Sequence, residues 1–245
     1  MKTLVPIFLI CLLASCSANT ENANDIINVA IATAGGDKLN NTEIEFIFRD
    51  KEYGAMHKDG SFEYVRLFKD SADLIRDVYT NNDFVREVNG EAISVPDSMA
   101  TKYSNSINSV IYFALLPIGL NDAAVIKAYM GSYTIGSQDY YKIKVTFTEE
   151  GGGTDYEDVF IYWVNKKTDE VDYLAYEYHT EGGGMRFREA YNERYVGGIR
   201  FVDYINYKPK SAINLDEIDQ AFIDGNLEEL SRIELQNIKV NALAE

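Results

Sequence analysis

The chain has 245 residues, of which 46% are hydrophobic and 13% aromatic, a composition that excludes a wholly disordered protein. Its 39 acidic and 23 basic residues give a formal net charge of -16, which disfavours binding to nucleic acid and to anionic lipid headgroups. Solubility is the simplest reason for so acidic a composition, and a cation-binding surface is the alternative.

The N-terminal segment predicts export. Lys2 supplies a positive charge, and Leu4–Leu13 is an almost unbroken apolar run, much shorter than the roughly 20 residues of a membrane-spanning helix. The run ends in Leu-Ala-Ser-Cys, which resembles the lipobox of bacterial lipoproteins. The resemblance implies that residues 1–15 are a signal peptide and that Cys16 is the lipidated first residue of the mature protein. An ordinary secretory signal, in which Cys16 is incidental, is the alternative.

The cysteine content and the lack of linker sequences limit which sites and how many domains the mature protein can have. Once Cys11 has left with the signal and Cys16 carries lipid, no thiol remains for a disulfide, a metal site or a nucleophile. Residues 16–24 are predicted to be the lipidated cysteine and a flexible polar tether. No linker interrupts residues 25–245, which predicts a single domain. Ser17 differs from the Asp that usually retains lipoproteins in the inner membrane, so we expect an outer-membrane lipoprotein of the cell envelope, on either face of that membrane.

The N-terminal half predicts one helix followed by hairpins. Asp25 can cap a helix that Gly35-Gly36 ends, and Glu43–Arg49 alternates as a half-buried strand does. Asp59-Gly60 and Asn89-Gly90 are tight-turn signals that predict hairpins between neighbouring strands.

A long amphipathic helix is predicted over Ser98–Leu116. Pro96 and Asp97 open it, and Pro117 stops it. Its apolar stripe consists of residues that recur at helical spacing, namely Met99, Tyr103, Ile107, Val110, Ile111, Ala114 and Leu115.

The remainder predicts a β meander and a mixed tail. Val125–Lys208 is almost entirely β in pattern, and Asp158–Val164 is apolar on both faces, as in a strand that is covered on both sides. The long helix is the expected cover for one face. A short helix over residues 215–222 and one last strand within residues 227–240 complete the chain.

Two loops of the meander share the sequence Glu-Gly-Gly-Gly, at residues 150–153 and 181–184. Alternate turns of an antiparallel meander emerge at the same end of the sheet, so both loops should share a rim with Glu149, Asp155 and His179. The simplest reason for the glycines is tight turns at positive φ. The alternative is an acidic mouth for a ligand or for Ca²⁺, although the spacing of a calcium loop is absent.

Catalytic, metal-binding and cofactor-binding motifs are missing from the sequence, so no catalytic residue, metal ligand or cofactor is predicted. His57 and His179 do not have a metal-ligand spacing. His179 with Glu177 and Glu181 is the one conceivable acid–base cluster, and it would act only if His179 met a carboxylate and a hydroxyl inside a pocket. The arginines of the late strands are expected to pair with neighbouring Glu and Asp, namely Arg186, Arg188, Arg194 and Arg200.

Several segments resemble an uncharacterised family of flavobacterial-type lipoproteins of unknown function. The resemblance covers residues 31–240 and is carried by residues 112–117, 119–122, 142–147, 162–164, 172–176 and 186–190. The order of elements is also similar to the lipoprotein-carrier (Lol-type) fold. This similarity implies an α+β fold in which a strongly curved antiparallel sheet, an incomplete β-barrel, is covered by an amphipathic helix.

Binding of a lipid or other hydrophobic ligand in the hollow of this sheet is the favoured function. The hollow and its lid are predicted to consist of Trp163, Phe160, Tyr176, Tyr178, Ile111 and Leu115. A helix packed tightly on the sheet, with no cavity between them, would contradict this hypothesis. The alternatives are a structural or assembly lipoprotein that holds a protein partner through a strand edge, and a hydrolase at the glycine-rich rim.

Overall fold

A computed structural model describes residues 21–153, 156–179 and 182–243. The predicted signal peptide and Cys16 lie outside these residues. The described helices are α1 (Ala23–Thr33), α2 (Asp97–Ala114) and α3 (Ile218–Ile223). The described strands are β1 (Thr42–Phe48), β2 (Lys51–Lys58), β3 (Ser61–Asp70), β4 (Asp73–Thr80), β5 (Phe84–Val88), β6 (Glu91–Ile93), β7 (Val125–Ile135), β8 (Gln138–Phe147), β9 (Val159–Asn165), β10 (Val171–Tyr178), β11 (Gly184–Val196), β12 (Ile199–Pro209), β13 (Leu227–Ile233) and β14 (Gln236–Ala242).

The strands form two antiparallel sheets of seven strands each. The first sheet has the order β14-β1-β2-β3-β4-β5-β6, and the second has the order β13-β12-β11-β10-β9-β8-β7. Hairpin turns connect most neighbours, and the two predicted tight turns are present. Asp59 and Gly60 have φ of 50° and 79°, and Asn89 and Gly90 have φ of 53° and 86°. Two positive φ angles in succession match the right-handed twist of the strands they join.

The C-terminal segment connects the two sheets. The sequence predicts one last strand within residues 227–240, but the structure divides this segment at Glu234 and Leu235. β13 pairs with β12 in the second sheet, whereas β14 pairs with β1 in the first. The opposite edges, β6 and β7, are not paired with each other. The predicted α+β class and incomplete barrel are therefore confirmed, with the strands divided between two sheets.

Three apolar clusters surround the sheets. One lies between α1, the end of α2 and the second sheet, and contains Ile27 and Tyr162. Another lies between α2 and the first sheet, and contains Ile107. The third packs α3 against the other face of the second sheet, around Trp163. We call the face of the second sheet that is turned toward α2 its inner face, and the face under α3 its outer face. The prediction that β9 is covered on both sides is confirmed.

The first helix begins earlier than the sequence predicts. Asn22 is the N-cap, and its side chain accepts a hydrogen bond from the backbone N–H of Asn24 at 2.9 Å. Asp25 therefore lies in the first turn, where its charge favours the helix dipole. The helix therefore includes Ala23 and Asn24, the last two residues of the predicted tether. Within the described residues, no helix has the length and hydropathy needed to cross a membrane.

Candidate functional site

Helix α2 lies between the two sheets and is held to the first sheet by a buried charged network. Asp77 is fully buried and accepts hydrogen bonds from Arg66 and Arg86, at 2.7 Å and 2.6 Å for the closest contacts. Arg66 also donates to the hydroxyl of Ser106 on α2 at 3.0 Å. The network attaches the helix to the first sheet because Arg66 contacts both Asp77 on β4 and Ser106 on α2.

The C-terminal half of α2 does not pack fully against the second sheet, and a cavity of about 470 Å³ lies between them. Its apolar walls are Phe48, Val110, Phe113, Ala114, Tyr176, Val202, Tyr204, Leu230, Ile233 and Leu235, and its polar walls are Arg49, Ser109, Arg186, Arg188, Asn206 and Ser231. Alternate residues of each strand share a face, which is why Val202, Tyr204 and Asn206 reach the cavity together. An apolar pocket of this size with a few polar groups is typical of small-molecule sites.

An aromatic cluster closes the cavity on one side. The rings of Phe113 and Tyr176 have centroids 5.5 Å apart, and Phe160 stacks on Tyr176 at 5.3 Å. Behind them, the hydroxyls of Tyr112 and Tyr162 are 3.1 Å apart. Burial raises the pKa of Tyr112 to about 12 and also raises the pKa of Tyr162, so both hydroxyls stay neutral at physiological pH. The wall is therefore aromatic and carries no negative charge.

Arg188 is the most buried charged group of the cavity. Its residue is 8% exposed, and its guanidinium lies 3.9 Å from the centroid of the Phe113 ring. One terminal nitrogen donates a hydrogen bond to the hydroxyl of Tyr176 at 2.9 Å. Arg186, on the same face of β11, donates to the hydroxyl of Tyr178 at 2.8 Å. Neither arginine lies within ion-pair distance of a described carboxylate, so the expected pairing with Glu or Asp is wrong for these two.

The other two arginines follow the expectation. Arg194 pairs with Asp203 at 2.8 Å, and Arg200 pairs with Glu193. A register shift between Tyr191 and Arg194 breaks the alternation along β11. Arg194 therefore does not share the face of Arg186 and Arg188, as it would on a strand without the register shift.

The structure brings only some of the predicted ligand-binding residues together. Tyr176 lines the cavity, Phe160 supports it from behind, and the ring of Tyr178 lies 6.0 Å from that of Tyr176. Ile111 and Leu115 are buried on the side of α2 that packs against the first sheet. Their part in ligand binding stays a prediction, and in this position they support the helix from behind.

Trp163 lies on the outer face of the second sheet, away from the cavity. It is fully buried under α3, and its indole N–H donates to the carboxylate of Asp219 at 3.1 Å. The same carboxylate accepts from the ammonium of Lys142 at 2.5 Å. This geometry indicates a structural role, in which Trp163 attaches α3 to the sheet.

The glycine-rich rim places His179 in an exposed position. Its side chain is 56% exposed, and its Nδ1 lies 3.7 Å from a carboxylate oxygen of Asp158. Asp155 and Glu181, which were expected at this rim, lie outside the described residues. A pocket around His179 was the condition for a hydrolase, and an imidazole with this exposure does not meet it. Within the described residues, no group of three or more His, Cys, Asp or Glu side chains could hold a metal ion.

Several cavity residues were not identified from the sequence, notably Arg188, Val202, Tyr204 and Asn206. The alternation of β12 predicts that Val202, Tyr204 and Asn206 share a face. The sequence does not show which face meets α2, because the strand is buried on both sides. For Arg188, the available signal was a basic residue beside the apolar Phe187 on a covered strand, where a charge needs a partner.

Comparisons with solved structures show distant similarities. A LolA superfamily protein from Nitrosomonas europaea has a TM-score of 0.45 and 13% identity, with 91% of this chain and 94% of that chain covered. A DUF1329 family protein from Desulfovibrio piger has a TM-score of 0.45 and 12% identity, with 90% and 93% covered. The Mycobacterium tuberculosis lipoprotein LppX has a TM-score of 0.28 and 8% identity, with 66% and 91% covered. Similarities of this size do not indicate a shared ligand.

Sequence comparison gives a firmer assignment. No match was found among curated proteins. A family model does match almost the whole chain, over residues 2–234. The predicted membership in a family without a known activity is confirmed: the chain belongs to the family of unknown function DUF6503.

Proposed function

We propose that this protein binds a lipid or other hydrophobic molecule in the cavity between α2 and the inner face of the second sheet. The observation that carries the proposal is the cavity itself, about 470 Å³ in volume and lined mainly by apolar side chains. Dedicated ligand sites range over roughly 300–1,000 Å³ and combine apolar walls with a few polar groups. Each methylene group transferred from water into such a cavity contributes about 0.8 kcal/mol.

The proposal includes a membrane anchor. A lipid on Cys16 would hold the protein at the outer membrane, with the ligand-binding domain in the periplasm or outside the cell. Support comes from the Leu-Ala-Ser-Cys sequence after an N-terminal apolar run. The test is membrane fractionation of the full chain and of the variant Cys16→Ser. The native chain should sediment with outer membranes, and the variant should not. Equal sedimentation of both would contradict the anchor without affecting the cavity.

Native mass spectrometry tests the ligand. The mature protein from Ser17, exported behind a cleavable secretory signal and therefore without the lipid, is expressed in a bacterial host and measured directly after purification. A co-purifying acyl species, or a mass shift on addition of a fatty acid, is the expected result. A clean protein mass that does not shift with any lipid would contradict the proposal and favour the hypothesis of a protein partner.

A cavity-filling variant makes this experiment specific. Val202 is 6% exposed and lines the cavity, so Val202→Phe places additional ring atoms in the space that a ligand would use. The matched control is Val85→Phe, because Val85 is 38% exposed on the first sheet and does not line the cavity. We expect the first substitution to abolish the bound species and the second to retain it. Overpacking costs roughly 1–3 kcal/mol, so thermal melting should still show a folded protein.

A further inference from the structure

The arginines of this protein divide into two groups. Six of the nine form an ion pair with a described carboxylate, namely Arg66, Arg76, Arg86, Arg194, Arg200 and Arg232. The other three, Arg49, Arg186 and Arg188, have no such partner among the described residues. These three are also the arginines that line the cavity. The unpaired arginines are thus concentrated in one place.

The charge of the cavity is opposite to that of the whole molecule. The chain has 39 acidic residues against 23 basic ones, yet the lining contains three arginines and no Asp or Glu. The net charge of -16 disfavours anions at the general surface, but a cavity with low-dielectric walls is dominated by the charges that line it. A ligand in this cavity therefore faces guanidinium groups and no lining carboxylate.

Arg188 is positioned but not neutralised. The ring of Phe113, 3.9 Å from the guanidinium, and the hydroxyl of Tyr176 orient it, while its Nε has no hydrogen-bond partner among the described residues. A cation–π contact and one neutral hydrogen bond compensate a buried charge only in part. An anion that accepted from the guanidinium would complete this compensation. Arg188 presents the planar donor group that suits carboxylate and phosphate oxygens.

Neighbouring polar groups extend the same site. The amide of Asn206 donates to the hydroxyl of Ser231 at 3.2 Å, and its carbonyl oxygen is buried without a partner. If the amide is turned over, the unpartnered atom becomes its nitrogen, so one polar atom stays unsatisfied in either orientation. The hydroxyl of Tyr176 accepts from Arg188 and keeps its own proton free to donate. The cavity thus combines apolar walls with unsatisfied polar groups around one cation.

We propose that the ligand is an amphiphile with an anionic oxygen head group, which Arg188 binds, and an apolar tail, which the remaining cavity wall covers. This inference rests on the proposed function and specifies its ligand class. A carboxylate and a phosphate share the required chemistry, because both offer oxygens to a planar guanidinium. Tyr176 contributes a second donor to the head group.

Isothermal titration calorimetry with four probes of equal chain length tests the inference. The probes are decanoate, decyl phosphate, 1-decanol and decyltrimethylammonium, and the protein is the mature chain from Ser17. We expect decanoate or decyl phosphate to bind at least about tenfold more tightly than 1-decanol, and the cationic probe to bind most weakly. The tighter of the two anions identifies whether the head group is a carboxylate or a phosphate.

Variants separate charge recognition from folding. Arg188→Met should bring the affinities for decanoate and 1-decanol within about twofold of each other, because the apolar walls remain and the cation is lost. Arg188→Lys should retain part of the preference. The control Arg232→Met removes one positive charge from an exposed arginine that does not line the cavity, and it should leave the preference unchanged. Melting curves confirm that each variant is folded.

The outcomes distinguish the two proposals. Equal binding of decanoate and 1-decanol by the native protein would overturn the anionic head group and leave the hydrophobic site in place. A preference for anions that survives Arg188→Met in a folded protein would overturn the assignment to Arg188. Binding of none of the four probes would overturn the proposed function and, with it, this inference.

Discussion

The outer face of the second sheet offers a direct test of how α3 is held. Asp219 is 1% exposed, and its carboxylate accepts hydrogen bonds from Lys142 at 2.5 Å and from the indole of Trp163 at 3.1 Å. The substitution Asp219→Ala removes the acceptor from both groups. It leaves a buried ammonium with one remaining hydrogen-bond acceptor, the backbone carbonyl of Asp216 at 2.7 Å.

The magnitude follows from these contacts. Breaking a buried ion pair by removing one partner costs roughly 3–5 kcal/mol, and the surviving carbonyl contact places this case at the lower end. An indole N–H left unsatisfied adds about 1 kcal/mol. We therefore expect Asp219→Ala to lower the free energy of unfolding by roughly 3–4 kcal/mol. For a chain of this size the melting temperature should fall by about 6–16 °C.

Urea unfolding followed by tryptophan fluorescence is the assay, because Trp163 is the single tryptophan of the chain. The double variant Lys142→Met/Asp219→Ala should recover at least half of the loss, since it removes the uncompensated charge. A loss below about 1 kcal/mol in the single variant, or a double variant as unstable as the sum of the two singles, would refute the reasoning. Neither residue lines the cavity, so decanoate affinity should be unchanged.

Three further predictions concern other parts of the molecule. Asp77→Ala should destabilise the protein by roughly 3–5 kcal/mol in urea unfolding, because it leaves the buried Arg66 and the partly exposed Arg86 without a carboxylate; a change below about 1 kcal/mol would show that the network is dispensable. Burial lowers the pKa of His57 from its ordinary value of 6.5, so the unfolded chain binds a proton more readily and stability should fall as the pH decreases below 6.5. His57→Gln should reduce this loss of stability between pH 7 and pH 5. An unchanged pH dependence of stability would show that His57 is not its cause. Gly35 has φ of +82° and a methyl group there would collide with the carbonyl of Gly198, so Gly35→Ala should lower the melting temperature more than Gly60→Ala, which has φ of +79° and open space around it.

Local signals determined the elements that the sequence predicted well. Helix α2 and the turns at Asp59-Gly60 and Asn89-Gly90 depend on residues close together in the chain, and the structure contains all three. The division of the C-terminal segment into β13 and β14 has a different origin. It depends on two partner strands, β12 and β1, that are remote in sequence, so no local pattern specifies it.

The sequence predicted only part of the candidate site, because a strand that is apolar on both faces does not show which face lines the cavity. Phe160 and Trp163 belong to one strand that is apolar on both faces, and their parity places them on opposite sides. Nothing in such a strand indicates which side faces the cavity. Arg188 was expected to find an acidic neighbour because the chain is rich in acids. The fold instead surrounds it with aromatic rings, which a composition argument does not anticipate.

The pairing of β1 with β14 makes one edge of the first sheet depend on two strands that are remote from each other in sequence. Thr42 lies opposite Ala242, so residues from both ends of the described chain meet in one ladder. Contacts between residues so distant in sequence form late and slowly. Until β14 arrives, β1 presents an open edge that includes the apolar Ile44, and such an edge is a template for aggregation. During folding, β1 therefore needs protection from other chains until β14 has paired with it.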